Sequence, residues 1–114
     1  MPTVEEIFQK LDELMRQDPS QVQGKNAIFQ FDISGRDAGT YQIILREDGA
    51  YARPGSQESP DLTIIIDSEN FKKLVEGKMN PAMAFMMRKM KVQGNMGLAP
   101  RLKDVLDLYQ SANS

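Results

Sequence analysis

The sequence predicts an α+β domain, one sheet with helices laid over a single face. Three observations carry this. Apolar residues at helical spacing open and close the chain, five short segments between them read as strands, and the signals fall in the order α-β-β-β-β-α-α-β-α, with strands grouped before helices instead of alternating with them.

Thr3 followed by Glu6 is a capping-box pair, after which Val4, Ile7, Phe8, Leu11, Leu14 and Met15 recur at helical spacing up to a break at Asp18-Pro19. Phe29, Phe31 and Ile33 then alternate with Gln30 and Asp32. Beyond GRDAG, Tyr41, Ile43 and Leu45 alternate with Gln42 and Arg46, and Asp48-Gly49 turns the chain into AYAR. These are three antiparallel strands, each with one apolar face. PGSQESP, Pro54 to Pro60, is a loop; LTIIID after it is apolar on both sides, which predicts a more central strand or one covered twice. Asp67 or Ser68 can cap a short helix carrying Phe71, Leu74 and Val75, which Gly77 ends in the left-handed conformation. Asn80 and Pro81 open another short helix, and MKVQG is a last strand turned at Gly94-Asn95. Leu98, Leu102, Val105, Leu106 and Tyr109 mark one face of a C-terminal helix, in whose first turn Pro100 must lie unless it bends it.

With 114 residues the chain suits one domain, residues 1–114, that buries about 65% of its unfolded surface. It has neither cysteine nor histidine. That suits a reducing compartment and removes the thiolate and imidazole ligands of most transition-metal sites, leaving only carboxylate sites for hard cations; no cofactor is expected. No secretory signal and no run approaching 18 apolar residues occur, so a cytoplasmic protein is expected.

The net charge of −2 hides an asymmetry, because Lys72 to Lys103 contains eight Lys or Arg and only one acid, Glu76. A solvated face accounts for this. Alternatively Arg88, Lys89, Lys91, Arg101 and Lys103 make transient contact with an anionic membrane surface. Nucleic acid is not an expected partner, since stacking aromatics are not interleaved with the cations and the pI is about 5.1.

Catalysis finds little support. There is no Gly-X-Ser-X-Gly elbow, GRDAG joins two strands and so cradles no phosphate, and the pairs Glu5-Glu6 and Asp12-Glu13 sit on the polar face of the first helix.

Five of the eight methionines fall between Asn80 and Gly97, and Met83, Met86, Met87 and Met90 stand at i, i+3, i+4 and i+7 with Met79 four residues earlier. Such a stripe is ordinarily core. Yet methionine is flexible and polarizable, and is favoured where a surface repacks around varied apolar partners, so the stripe also suggests an adaptable cavity for a greasy ligand.

Pro60, Asp61 and Thr63 before a β-branched strand, the acidic cap Asp67, Gly77-Lys78, Asn80-Pro81, and Lys91 or Lys89 followed by Gly94-Asn95 occur in order across half the chain. In this the sequence resembles the sterol carrier protein 2 family. The resemblance implies a five-stranded, mostly antiparallel sheet covered on one face by helices, with a hydrophobic tunnel between for sterols, fatty acids, acyl-CoA or phospholipid, and no catalytic group. Two positions depart from the family pattern: Met87, where a glutamine is frequent, and Pro100, where methionine or another helix former is. The ending SANS is not a peroxisomal signal of the Ser-Lys-Leu type.

The expected function is therefore noncatalytic lipid binding or transfer. The expected lining is Phe8, Leu11 and Met15 from the first helix, Phe31, Tyr41 and Ile43 from the sheet, Met83, Met86, Met87 and Met90 from the methionine segment, and Leu102, Val105, Leu106 and Tyr109 from the last helix. The alternative is an interaction or dimerisation module with a closed cavity and a methionine-rich contact surface.

Overall fold

In a computed structural model, residues 2–18, 20, 22 and 26–112 are described. Helix α1, Val4–Gln17, starts as expected: the Thr3 hydroxyl accepts from the Glu6 N–H at 3.1 Å, and the Glu6 carboxylate accepts from the Thr3 N–H at 2.8 Å. It buries Val4, Ile7, Phe8, Leu11 and Met15. Pro19, expected to end it, and Asn113 and Ser114 of SANS lie outside the described residues.

Strands β1 (Ala27–Ser34), β2 (Gly39–Arg46), β3 (Gly49–Pro54), β4 (Leu62–Asp67) and β5 (Met90–Gly94) form one sheet in the order β3-β2-β1-β4-β5. Only β1 and β4 run parallel; the other three pairings are antiparallel. Phe31 pairs with Tyr41 on one side and Ile64 on the other, so Phe31, Tyr41, Ile64 and, by alternation, Phe29, Ile43 and Leu62 share a face. Helices α1, α2 (Ser68–Val75), α3 (Pro81–Met86) and α4 (Ala99–Ala112) cover that face, α1 packing on β3 and α4, α2 on β4 and α4, and α3 on β5. This is the α+β arrangement expected. Among the described residues no helix is long and apolar enough to cross a membrane.

Three local details sharpen or change what the sequence predicts. β4 is interior, as expected, lying between β1 and β5; Leu62, Ile64 and Ile66 are buried, and Thr63 and Ile65, on its other face, are half-buried, so helices cover it once. β2 is buried on both faces, from Tyr41 through Leu45, because the Pro54–Pro60 loop folds over the outer face. Gln42, expected at the surface, is 0% exposed there: its amide donates to the Glu58 carbonyl at 2.7 Å and to Gln30 Oε1 at 3.0 Å, and its Oε1 accepts from the Glu58 N–H at 3.2 Å. Glu58 also pairs with Arg46.

The third detail concerns the methionines. α3 spans only six residues, Met87 caps it, and Met90 belongs to β5, so the four methionines do not stand on one helix. Arg88 ends it in the left-handed region at φ 59°, with its N–H donating to the Phe85 carbonyl at 3.1 Å and the Lys89 N–H donating to the Ala84 carbonyl at 2.8 Å. α2 ends the same way at Gly77, φ 80°, as expected. Pro100 lies in the first turn of α4. At Gly94 the constraint is contact: a Cβ there would sit 2.4 Å from the Asp61 carbonyl oxygen.

The β1–β2 turn is tied to the helices by Asp37, whose carboxylate accepts from Lys72 of α2 at 2.8 Å. This hydrogen bond, aided by the Lys72 charge and the Val4 N–H, holds the Asp37 carboxyl below its usual 3.8. A carboxyl with a depressed folded-state pKa favours the fold above its unfolded-state value and loses that contribution as pH falls through the folded-state one. Stability should accordingly fall below about pH 4, and Asp37→Asn should flatten that fall in denaturant titrations at several pH values. Since glycine adopts the left-handed conformation without the Cβ penalty, Arg88→Gly should raise unfolding free energy by about 0.5–1 kcal/mol.

Candidate functional site

β5 is the edge strand beside β4, and the helix that packs on it is short: α3, six residues, is about 9 Å long. Its inward residue is Ala84, which is fully buried, whereas Met83, Phe85, Met86 and Met87 are exposed. A short helix seated on one small side chain leaves the space between itself and α4 unfilled. A cavity of 530 Å³ occupies it.

Leu62 and Ile64 of β4 with Met90 and Val92 of β5 form the floor. Pro81, Ala82, Phe85 and Met86 form one wall, Ala99, Pro100 and Leu102 the other, and Met96 from the 3₁₀ turn Met96–Leu98 closes an end. The cavity is open to solvent, since Phe85, Met86 and Met96 in its lining are themselves exposed. Among the described residues, Asn80 and Lys103 are its only polar lining residues. Asn80 Oδ1 is committed to capping α3, accepting from the Met83 N–H at 3.1 Å. Lys103 pairs with Asp107 one turn along α4 at 2.9 Å, a hydrogen bond that raises its pKa and keeps it cationic. A depression of the same volume beside α2 is lined by Arg36, Ser68, Glu69, Lys72, Lys73, Glu76 and Lys78. Chemistry separates the two: the first can take a hydrocarbon and the second cannot.

Of the residues expected to line a ligand space, Met86, Met90 and Leu102 line this cavity. Phe8, Leu11, Met15, Phe31, Tyr41, Ile43, Val105, Leu106 and Tyr109 are buried in the contiguous core away from it. Met83 and Met87 are 53% and 59% exposed and outside it. The rest of the lining, with Leu62, Ile64, Phe85, Val92 and Met96 its large apolar members, was not among the expected residues, although Leu62/Ile64 and Met90/Val92 alternate along their strands. Of the five expected membrane-contact cations, Arg88 and Lys89 follow α3 and are exposed, and Lys103 is at the cavity rim. Lys91 lies on the face of β5 opposite Met90 and Val92, and Arg101 is half-buried.

A family model described as the SCP-2 sterol transfer family matches residues 8–107. The chain belongs to this family. Among solved structures, the sterol carrier protein domain 2 of Helicoverpa armigera superposes on this SCP-2 chain with a TM-score of 0.76 at 31% identity, over 93% of this chain and 87% of that one. The apo form of sterol carrier protein 2 from Yarrowia lipolytica gives 0.70 at 28% identity, over 91% and 89%. Hydroxysteroid dehydrogenase-like protein 2 of Bos taurus is 34% identical over 111 residues, 95% of this chain and 26% of that protein, and the Homo sapiens protein of that name is 35% identical over 91% and 25%. The SCP-2 chain thus spans about a quarter of the length of these curated relatives.

Burial separates two methionines of the segment. Met90→Gln puts an amide among apolar floor residues and should cost about 1–3 kcal/mol, whereas Met87→Gln, at an exposed cap, should stay within about 0.5 kcal/mol. Denaturant unfolding of the two variants checks this; equal losses would place Met87 inside.

Proposed function

We propose that this chain is a noncatalytic lipid-binding module that holds the hydrocarbon part of a fatty acid, sterol, acyl-CoA or phospholipid in the cavity between α3 and α4. The observation that carries the reading is the apolar lining, whose polar members among the described residues are Asn80 and Lys103. Asn80 is engaged as a helix cap and Lys103 is held cationic by Asp107, so neither is an activated nucleophile, which favours holding over chemistry. A volume of 530 Å³ is in the range of small-molecule sites. Each methylene moved out of water contributes about 0.8 kcal/mol, so a long chain supplies several kcal/mol beyond the cost of immobilisation. Membership of a family described as sterol transfer brings sterols into the ligand class.

The alternative of an interaction module needs a closed cavity, and the space between α3 and α4 is open. Protein stripped of lipid and checked for folding should bind a fluorescent long-chain fatty acid saturably at micromolar concentrations. A sterol should compete, and Ala82→Trp, which fills the cavity from its wall, should weaken binding about tenfold. Absence of saturable binding by the folded parent would remove the lipid reading.

A further inference from the structure

Among the described residues, the exposed large apolar side chains are Met83, Phe85, Met86, Met87 and Met96, all within fourteen positions of one another. Soluble chains scatter such residues singly; a contiguous group marks a contact surface. Phe85, Met86 and Met96 also line the cavity, so this surface and the cavity mouth are continuous.

The charge beside the group has one sign. From Gly77 to Lys103 there is no Asp or Glu, and there are six cations, Lys78, Arg88, Lys89, Lys91, Arg101 and Lys103. Arg88 and Lys89, next in the chain to Met87, are exposed and paired with no carboxylate among the described residues.

We propose that this face docks on an anionic phospholipid bilayer, with the methionine and phenylalanine side chains entering the interfacial layer, Arg88 and Lys89 meeting lipid phosphates, and the cavity mouth turned to the membrane. A bilayer supplies both things the face lacks, a disordered apolar medium that flexible methionines can enter and a sheet of negative charge. A second copy of this chain supplies only the first. Two such faces brought together would oppose cation to cation, and like charges across an interface work against association. The docking goes beyond lipid holding and does not depend on it, because Met83, Met87, Arg88 and Lys89 lie outside the cavity lining.

Sedimentation with vesicles of phosphatidylglycerol and phosphatidylcholine, against phosphatidylcholine alone, tests this in the intact chain. Binding to the anionic vesicles should be at least about tenfold tighter, and should be largely lost between about 0.1 M and about 1 M salt. Arg88→Gln with Lys89→Gln should weaken it about fivefold per residue. Met83→Ser with Met87→Ser, both outside the cavity, should weaken it about tenfold while leaving fatty-acid binding in solution unchanged. The chain has no tryptophan, so Met87→Trp gives a single reporter whose emission should move to shorter wavelength on anionic vesicles. Equal binding to both vesicle types, or full binding by the Met83→Ser, Met87→Ser variant, would overturn the proposal. Self-association of the parent chain that this variant abolishes would assign the face to a second copy and overturn it as well.

Discussion

Phe8 stacks on Tyr41 at 4.4 Å between ring centroids and on Phe71 at 5.1 Å, both nearly parallel, while Phe31 meets Phe8 and Phe71 edge-on at 5.4 and 5.6 Å. One ring each comes from α1, β1, β2 and α2, so the cluster joins the first helix, the centre of the sheet and the helix after β4. Each such pair contributes about 0.5–1.5 kcal/mol beyond the area it buries. The cluster also decides where a ligand space cannot be. Rings in contact at these distances fill the middle of the helix–sheet interface, and the apolar cavity lies toward β5, where the helical cover is short.

The fold was legible because its signals are local. A capping box, an Asn-Pro start and a Gly-ended helix each act over a few residues, and each does in the structure what the chemistry of its side chains requires. The motif that carries the family resemblance is of the same kind. Asp61 binds β1 through both its backbone N–H and its carboxylate, at 2.8 Å to the Ile28 carbonyl and 2.9 Å to the Ile28 N–H, and its own carbonyl accepts from Asn95 at 2.9 Å. Gly94 is what lets those backbones approach. Asp67 and Asn80 are helix caps. Those residues specify turns and junctions, which is why they identify the family and leave the ligand open.

The site was much less legible. Periodicity says that Met83, Met86, Met87 and Met90 would align on a helix, but not that Arg88 stops the helix before Met90 is reached. A left-handed arginine carries no local signature comparable to Gly77. Nor does alternation within a strand reveal which neighbour covers it: Phe31 and Ile64 share a face, yet the first lies under aromatic rings and the second under a cavity. Gln42 is the counterpart on the outer face, a polar residue buried by a loop that approaches from twelve or more positions away.

Helix α3 is fastened to the core chiefly by Ala84, and a methyl group offers little to hold a wall in place. The β4 part of the cavity floor is different: Leu62 and Ile64 belong to a strand bonded on both sides, and the Asp61 junction clamps its end. Local stability is therefore graded across a few ångströms, with the wall at the low end and β4 at the high end. A space walled in this way has no fixed capacity: its volume is set by where a loosely held wall stands, and six residues can shift while the aromatic cluster stays still.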